Sequence, residues 1–65
     1  MPVVVNKRLL SAQEASEYLS ISRALLYQWV DKKRIPSLKI NRRRLFDVND
    51  LDDFVEQLKA EQWKN

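Results

Sequence analysis

The chain has 65 residues, a formal net charge of +3, and neither cysteine nor histidine. Its length allows one domain with a small core, and the absent residue types exclude disulfides, thiolate or imidazole metal sites, and cysteine or histidine catalysis. No apolar run approaches the ~20 residues that cross a bilayer, and residues 1–10 lack the apolar core of a signal peptide. We therefore expect a cytoplasmic protein that is not an enzyme and uses no metal, cofactor, membrane or small-molecule substrate.

Residues 1–8 are interpreted as an N-terminal lead, and residues 9–65 as the folded domain. The valine run at residues 3–5 is β-branched, which fits either a partly disordered lead or a short edge strand. Leu9 and Leu10 precede the first helix, and both are predicted to lie in the core.

The first predicted helix begins near Ala12. Ser11 and Glu14 have the spacing of a capping box, in which each side chain accepts a hydrogen bond from the other residue's backbone N–H. Leu10 stands where a hydrophobic staple packs against Ala15. The apolar residues of the inner face recur at three- and four-residue spacing: Ala12, Ala15, Tyr18 and Leu19.

A second helix is predicted from Arg23 to about Lys33, after a turn at residues 20–22 in which Ser22 is the natural N-cap. Its predicted inner face has Leu26, Val30 and, to one side, Trp29, and its outer face has Ala24, Tyr27, Gln28 and Asp31. An outer face that is short and flat at its start suits a helix whose first turns enter the major groove of DNA. An ordinary amphipathic hairpin with a solvated face is the alternative interpretation.

A β-hairpin is predicted after Ile35-Pro36, because the proline ends the helix and the residues on both sides of a polar tip are β-compatible. The tip is predicted at residues 41–43, with Asn41 in the left-handed conformation. The predicted inward residues are Leu38, Ile40, Phe46 and Val48, and the predicted exposed cations are Lys39, Arg42, Arg43 and Arg44. Such a hairpin beside a helix-turn-helix is a wing. Its adjacent arginines repel one another, so a negatively charged ligand is expected opposite them. A solvated surface run is the alternative.

Asn49 is the predicted N-cap of a third helix, and acidic residues in its first turn favour the positive end of the helix dipole: Asp50, Asp52 and Asp53. The predicted buried stripe is Leu51, Phe54, Val55 and Leu58. Because the acidic residues have this structural explanation, they are not interpreted as a metal or catalytic cluster. Trp63 lies off the stripe; it either folds back onto the core, the favoured interpretation, or offers an apolar contact to a partner.

Charge divides the chain into two parts. Residues 1–44 contain ten basic and three acidic residues, a net +7, whereas residues 45–65 contain two basic and six acidic residues, a net −4. Residues 1–44 have the charge expected of a segment that binds a polyanion, and residues 45–65 do not.

Taken together, these features make the chain resemble the excisionase-type helix-turn-helix family, a small winged-helix group related to the MerR superfamily. The matching residues lie between about Leu9 and Val55: Leu10-Ser11, Glu14-Ala15, Tyr18-Leu19, Ile21-Ser22-Arg23, Leu26-Tyr27, Trp29-Val30, Ile35-Pro36, Lys39-Ile40, Arg42-Arg43, Phe46-Asp47 and Asp50-Leu51. The resemblance implies an α+β, mainly α fold: a winged helix-turn-helix with three helices and a two-stranded β-hairpin wing. Three positions depart from the family pattern, since Ser20 and Asn41 replace common glycines and Arg44 replaces a common aromatic residue.

The function implied by the resemblance is sequence-specific binding of double-stranded DNA, by an excisionase that directs an integrase or recombinase, or by a small transcription regulator. The second helix would read the major groove, and the wing would reach a neighbouring minor groove or its phosphates. Excisionases assemble side by side and bend DNA, so self-association on adjacent sites and a nucleoid location are expected when DNA is bound.

The base-reading residues are hypothesised to be Arg23, Ala24, Tyr27 and Gln28. Gln28 can pair bidentately with an adenine edge, and Arg23 can grip guanine or a phosphate. The Tyr27 hydroxyl donates to a phosphate, or its ring packs on the wing, and both interpretations stay open. The residues expected on phosphates or the minor groove are Ser22, Lys32, Lys33, Arg34, Lys39, Arg42, Arg43 and Arg44.

The rival interpretation is a protein-interaction module in which the acidic third helix and Trp63 bind a partner, while the basic face is only solvated. Weak, salt-insensitive DNA binding, together with a tight protein complex that is lost on Trp63→Ala, would favour this rival.

Overall fold

A computed structural model describes residues 8–63, in which three helices pack around a small antiparallel sheet. The elements in chain order are β1 (Leu9–Leu10), α1 (Ala12–Leu19), α2 (Arg23–Asp31), β2 (Leu38–Ile40), β3 (Arg43–Asp47) and α3 (Val48–Gln62). This arrangement confirms the predicted winged helix-turn-helix fold and adds β1 to the wing as a third strand. The valine run at residues 3–5 lies outside the described residues.

Helix α1 begins and ends through local hydrogen bonds. The Ser11 hydroxyl accepts from the Glu14 N–H at 3.2 Å, and the Glu14 carboxylate accepts from the Ser11 N–H at 2.9 Å, which confirms the capping box. Ser20 ends the helix in the left-handed conformation with φ 59°. The next N–H, of Ile21, donates to the Ser16 carbonyl at 2.9 Å, so the turn into α2 is fixed without a glycine.

Helix α2 begins as predicted and ends two residues early. The Ser22 hydroxyl accepts from the Leu25 N–H at 3.1 Å and confirms the N-cap. The helix was predicted to end at about Lys33; it stops at Asp31, because Lys33 takes φ 62°. The Arg34 N–H then donates back to the carbonyl of Trp29 at 2.9 Å, which closes the last turn.

The wing turns over two residues, and its predicted three-residue tip is wrong. Ile40 pairs with Arg43, so Asn41 and Arg42 alone form the turn, with φ values of 50° and 68°. Two consecutive positive φ values are typical of a type I′ turn, whose twist matches that of the flanking strands. Arg43 therefore belongs to β3.

The shorter turn reverses the face on which two predicted core residues lie. Leu38 and Ile40 are 45% and 47% exposed, so the prediction that they pack inward is wrong. A three-residue tip would have paired Leu38 with Phe46, whereas the observed register pairs it with Leu45. Because successive side chains in a strand point to opposite faces, this shift of one residue moves Leu38 and Ile40 away from the buried Phe46.

Helix α3 begins at Val48, the residue directly after the end of β3. Its N-cap is Asp47, whose carboxylate accepts from the Asn49 N–H at 2.9 Å, so the predicted cap at Asn49 is wrong and the half-buried Val48 is helical. The cap lies earlier because Asp47 is held by tertiary contacts: it pairs with Leu9 across the sheet and with the Arg8 guanidinium at 3.0 Å. Of the three acids predicted for the first turn, Asp50 is in it.

The core lies between the three helices and β3. Its buried hydrophobic residues are Leu10, Ala15, Leu26, Ile35, Phe46, Leu51 and Phe54. Trp29 packs against the Phe54 ring with centroids 4.8 Å apart. Trp63 is 80% exposed, so the interpretation that it folds back onto the core is wrong. A helix of 15 residues is about 22 Å long, and its last turn extends past the core.

Acid should weaken the junction between the sheet and α3. The hydrogen bonds from Arg8 and from the Asn49 N–H lower the pKa of Asp47 below its ordinary value of 3.8. Stabilisation by this carboxylate is therefore complete above that value and is lost as the pH falls through the lowered pKa. We expect Asp47→Asn to reduce the melting temperature at neutral pH, and the difference from wild type to vanish in acid.

Thermal unfolding between about pH 7 and pH 2 checks this prediction. Asp47→Ala is the comparison, because asparagine retains an N-cap acceptor and alanine does not. The alanine variant should therefore remain less stable than the asparagine variant at every pH. A constant difference between wild type and Asp47→Asn across the range would contradict the proposed role of the Arg8 ion pair.

Replacing Arg42 by glycine should stabilise the fold. A left-handed conformation costs an L-residue roughly 1–2 kcal/mol, whereas glycine adopts it freely, so Arg42→Gly should raise the free energy of unfolding by about 1 kcal/mol. For a domain of this size that is about 4–8 °C in melting temperature. Asn41→Gly is the control and should gain less, because asparagine tolerates this conformation. Equal or lower stability of Arg42→Gly would contradict the assigned strain.

Candidate nucleic-acid interface

Helix α2 presents one side to solvent at its N-terminal half. Arg23, Ala24 and Gln28 are exposed and Tyr27 is 40% exposed, whereas Leu26 on the other side is fully buried. The structure thus places the four residues predicted to read bases on one accessible face. No other described residue hydrogen-bonds to their side chains or forms an ion pair with them.

Ser22 stands at the start of this face. Its hydroxyl oxygen is occupied as the N-cap acceptor for Leu25, but the hydroxyl can still donate its own hydrogen to a phosphate oxygen. The first N–H groups of α2 lie beside it, and unpaired N–H groups at a helix start attract anions. Ser22 can therefore cap the helix and contact a phosphate at the same time.

The inner face of the wing, defined by Lys39 and Arg44, lies on the same side of the sheet as Phe46. Lys39 pairs with Arg44 across the two strands, so their side chains lie side by side. Arg44 also lines a groove with Val30 and Asp31 at the end of α2. The groove places Arg44 of this face next to the C-terminal end of α2.

The three wing arginines occupy different positions, although the sequence pattern predicted the same exposed position for all of them. Arg42 is at the turn, Arg44 is on the inner face, and Arg43 lies on the opposite face beside Ile40. The pattern of the strands could have distinguished them if Asn41 and Arg42 had been read as a two-residue turn. Neither residue is a glycine, and that is why the usual signal for such a turn is absent.

Unpaired cations are concentrated on α2, the following loop and the wing. Among residues 8–63, the cations with no carboxylate within ion-pair distance are Arg23, Lys32, Lys33, Lys39, Arg42, Arg43 and Arg44. Elsewhere in this range, Arg8 and Lys59 are paired with Asp47 and Glu56. The side of the molecule that carries α2 and the wing therefore has an uncompensated positive charge, which attracts a polyanion.

Arg34 differs from the other residues predicted to contact phosphates. Its guanidinium forms an ion pair with Glu61 of α3 at 2.7 Å and lies over the Phe54 ring, 5.3 Å from the centroid. These contacts direct it toward α3 and link the loop after α2 to that helix. The partner lies 27 residues away in sequence, and no local pattern indicates it.

The described residues carry neither a metal cluster nor a membrane-spanning helix. Residues 8–63 contain no group of three acidic, histidine or cysteine side chains that could hold a metal ion. None of the helices in this part of the chain is both long and apolar enough to cross a membrane.

Comparison with known families supports the same interpretation of the fold. A family model described as a helix-turn-helix domain matches residues 9–59, which include all three strands, α1, α2 and most of α3. No curated protein and no solved structure matches the chain significantly. Since the matched range covers most of the 65 residues, the predicted resemblance is confirmed. The chain belongs to the helix-turn-helix domain family, a DNA-binding family of the excisionase type.

Proposed function

We propose that this chain binds double-stranded DNA sequence-specifically, with α2 in the major groove and the wing on a neighbouring minor groove or its phosphates. The observation that carries this proposal is the set of unpaired cations on α2, on the loop that follows it and on the wing. A helix with one exposed face and a cationic wing together have the shape and charge that a DNA groove requires.

The residues proposed to read bases are Arg23, Ala24, Tyr27 and Gln28. The amide of Gln28 pairs with the N6 and N7 groups of adenine, a contact worth roughly 1–3 kcal/mol of discrimination. Arg23 has the donors for guanine or a phosphate, and Ala24 is small enough to let the helix approach the base edges. The partly exposed Tyr27 hydroxyl suits a phosphate contact, and packing of its ring on the wing is the alternative.

Affinity that is independent of sequence comes from the cations of the loop and the wing, assisted by Ser22. The proposed phosphate or minor-groove contacts are Lys32, Lys33, Lys39, Arg42, Arg43 and Arg44. If about five of them neutralise phosphates, log affinity falls with log salt at a slope of roughly −4 to −5. Arg34 contributes less to this slope, because Glu61 already neutralises its guanidinium.

In the cell, the proposed role is that of an excisionase, which directs an integrase or recombinase, or of a small transcription regulator. A single reader of this size contacts few base pairs, so useful specificity needs several copies on adjacent sites. The protein would act in the cytoplasm, on nucleoid DNA, through residues 9–65 and without catalysis or a cofactor of its own. The excisionase type of the matched family supports this role.

A second candidate function is protein binding through the acidic α3 and Trp63. The observation that favours it is the 80% exposure of the Trp63 side chain, since exposed tryptophans are common anchors of protein interfaces. Trp63→Ala would then abolish a protein complex without changing DNA affinity. Loss of DNA affinity in that variant would argue against this candidate.

Selection from a randomised duplex pool at two salt concentrations tests the proposed DNA binding. Sequencing of the retained duplexes should reveal an enriched motif at both concentrations, with less DNA retained at higher salt. Retention without any motif would show that the basic surface binds DNA without sequence specificity. No retention even at low salt would overturn the proposal in favour of protein binding.

The division between base reading and phosphate contact is tested by comparing Gln28→Ala with Arg42→Gly on a panel of variant sites. Gln28→Ala should relax preference at one base position. Arg42→Gly should weaken all sites alike and reduce the salt slope by about 1, although the protein becomes more stable. Arg34→Gln is the matched control, because it removes the same charge from a paired position and should change the slope less.

A uniform loss of affinity in Gln28→Ala would contradict the placement of α2 in the major groove. An unchanged salt slope in Arg42→Gly would contradict the wing contact. Equal slope changes in Arg34→Gln and Arg42→Gly would show that the ion pair with Glu61 does not survive on DNA.

A further inference from the structure

Asp31 belongs to the exposed side of α2 but takes no part in the proposed DNA contacts. It lies seven residues after Ala24 and three after Gln28, and these spacings put the three side chains on one side of a helix. Its side chain is exposed, and it is the last residue of α2. The face that is proposed to enter the major groove therefore ends in a carboxylate.

The position of Asp31 is unfavourable within the protein. Carbonyl groups at the C-terminal end of a helix carry partial negative charge, so they repel a carboxylate there. Glu17 of α1 and Glu61 of α3 also stand in a last turn, but Gln13 and Arg34 donate hydrogen bonds to them. The Asp31 side chain makes no hydrogen bond or ion pair with another described residue. Within residues 8–63, therefore, no contact compensates its charge.

Three cations lie close to Asp31 in the sequence or in the groove at the end of α2. Lys32 is its neighbour in sequence, and Lys33 and Arg44 line the same groove. None of the three is within ion-pair distance of its carboxylate. An uncompensated negative charge on a phosphate-binding surface weakens binding to every DNA sequence, because it repels the phosphates that the cations attract. Asp31 thus lowers affinity for DNA unless a base provides it with a donor.

The chemistry of a carboxylate restricts its partners in DNA, because an ionised carboxylate only accepts hydrogen bonds. Phosphate groups within a duplex have no donor to offer. In the major groove the donors are the N4 amino group of cytosine and the N6 amino group of adenine. The adenine amino group lies between two acceptors, its own N7 and thymine O4, whereas the cytosine amino group has an acceptor, guanine O6, on one side only. A carboxylate is therefore repelled less at cytosine.

We propose that Asp31 accepts a hydrogen bond from the N4 amino group of a cytosine and thereby determines one position of the DNA target. The inference rests on the proposed DNA-binding function and names a base pair that the target contains. A helix rises about 1.5 Å per residue, which places Asp31 about 4.5 Å beyond Gln28 along α2. Base pairs are about 3.4 Å apart, so the cytosine lies about one or two base pairs from the adenine proposed for Gln28.

The same carboxylate improves discrimination in two ways. At the target it gains a hydrogen bond to cytosine, and at other sequences it remains an uncompensated negative charge beside phosphates. Specificity is the difference between the two affinities. A residue that weakens binding to the wrong sequences therefore raises specificity, just as a new contact with the right one does.

The simplest alternative is an exposed acid that only contacts water. Asp53 represents this case, because it is exposed and has no ion-pair partner among residues 8–63. It belongs to α3, which carries none of the proposed DNA contacts. Removal of the charge from each of the two residues therefore distinguishes a carboxylate that faces DNA from one that faces solvent.

Titration of the full chain against duplexes with single base-pair changes in the selected motif tests the inference. Asp31→Ala removes the charge and the acceptor, whereas Asp31→Asn removes the charge and keeps an acceptor. Asp53→Ala is the matched control, and an unrelated duplex reports the affinity that is independent of sequence. Alanine is the best helix former, so the melting temperature of Asp31→Ala should not fall below that of wild type.

The wild type should bind roughly 5-fold or more weakly when the cytosine is replaced, as expected for one specific base contact. In Asp31→Ala this penalty should disappear, and affinity for the unrelated duplex should rise roughly 2–5-fold. Asp31→Asn should show the same rise but keep part of the preference for cytosine. Asp53→Ala should keep the full preference and change the affinity for the unrelated duplex less.

A cytosine analogue tests the contact at a single amino group. Replacing the cytosine by 2-pyrimidinone removes the 4-amino group and leaves the ring atoms that pair with guanine N1 and N2. The wild type should lose affinity for this duplex, whereas Asp31→Ala should bind the duplexes with cytosine and with the analogue equally. A double-mutant cycle of this kind isolates the interaction between the carboxylate and the amino group.

Unchanged base preference in Asp31→Ala would overturn the inference even if affinity for all duplexes rises, because Asp31 would then be an acid that only contacts water. Equal penalties for the analogue in wild type and Asp31→Ala would overturn it too. So would a selected motif with no cytosine on either strand within about two base pairs of the position that Gln28 reads. Absence of any enriched motif for the wild type would instead overturn the proposed DNA-binding function. Selection with the wild type comes first and therefore separates the two failures.

Discussion

The register of β3 against β2 determines which residues of the wing face the core and α2 and which face away from them. A two-residue turn pairs Ile40 with Arg43, and the alternation of side chains then places every other residue of the wing on a given face. Phe46 falls on the inner side, where it is fully buried in the core, and its strand β3 contacts α1 and α3. The same register places Arg44 on the face of the sheet that borders α2 and Leu38 on the opposite, exposed face.

Local hydrogen bonds made much of the fold predictable from sequence, and tertiary contacts limited the rest. The caps at Ser11 and Ser22 need only residues within one turn of helix, so their spacing was sufficient. The start of α3 depends on Asp47, which is positioned by pairing with β1 and Arg8 rather than by its neighbours. The predicted wing turn was one residue too long, and this was enough to place Leu38 on the wrong face of the sheet.

Helical periodicity likewise located the exposed face of α2, because one buried stripe fixes the opposite side of a helix. Periodicity could not show that Arg34, unlike the neighbouring lysines, is paired with a carboxylate, since its partner Glu61 lies in a distant part of the chain. The exposure of Trp63 was missed for a related reason: periodicity gives an angle around a helix but not where the core beneath it ends. The proposed assignment of DNA contacts rests on charge and family together, not on sequence spacing alone.

The absence of glycine affects both the folded and the unfolded state. Within residues 8–63, left-handed residues close the turns at Ser20, Lys33, Asn41 and Arg42, where glycine would relieve native strain. A chain without glycine, however, has fewer conformations to lose on folding. Part of the strain in the turns is thus offset by a stiffer unfolded chain. Stability in this small protein therefore depends on restricting the denatured ensemble as well as on contacts within its core.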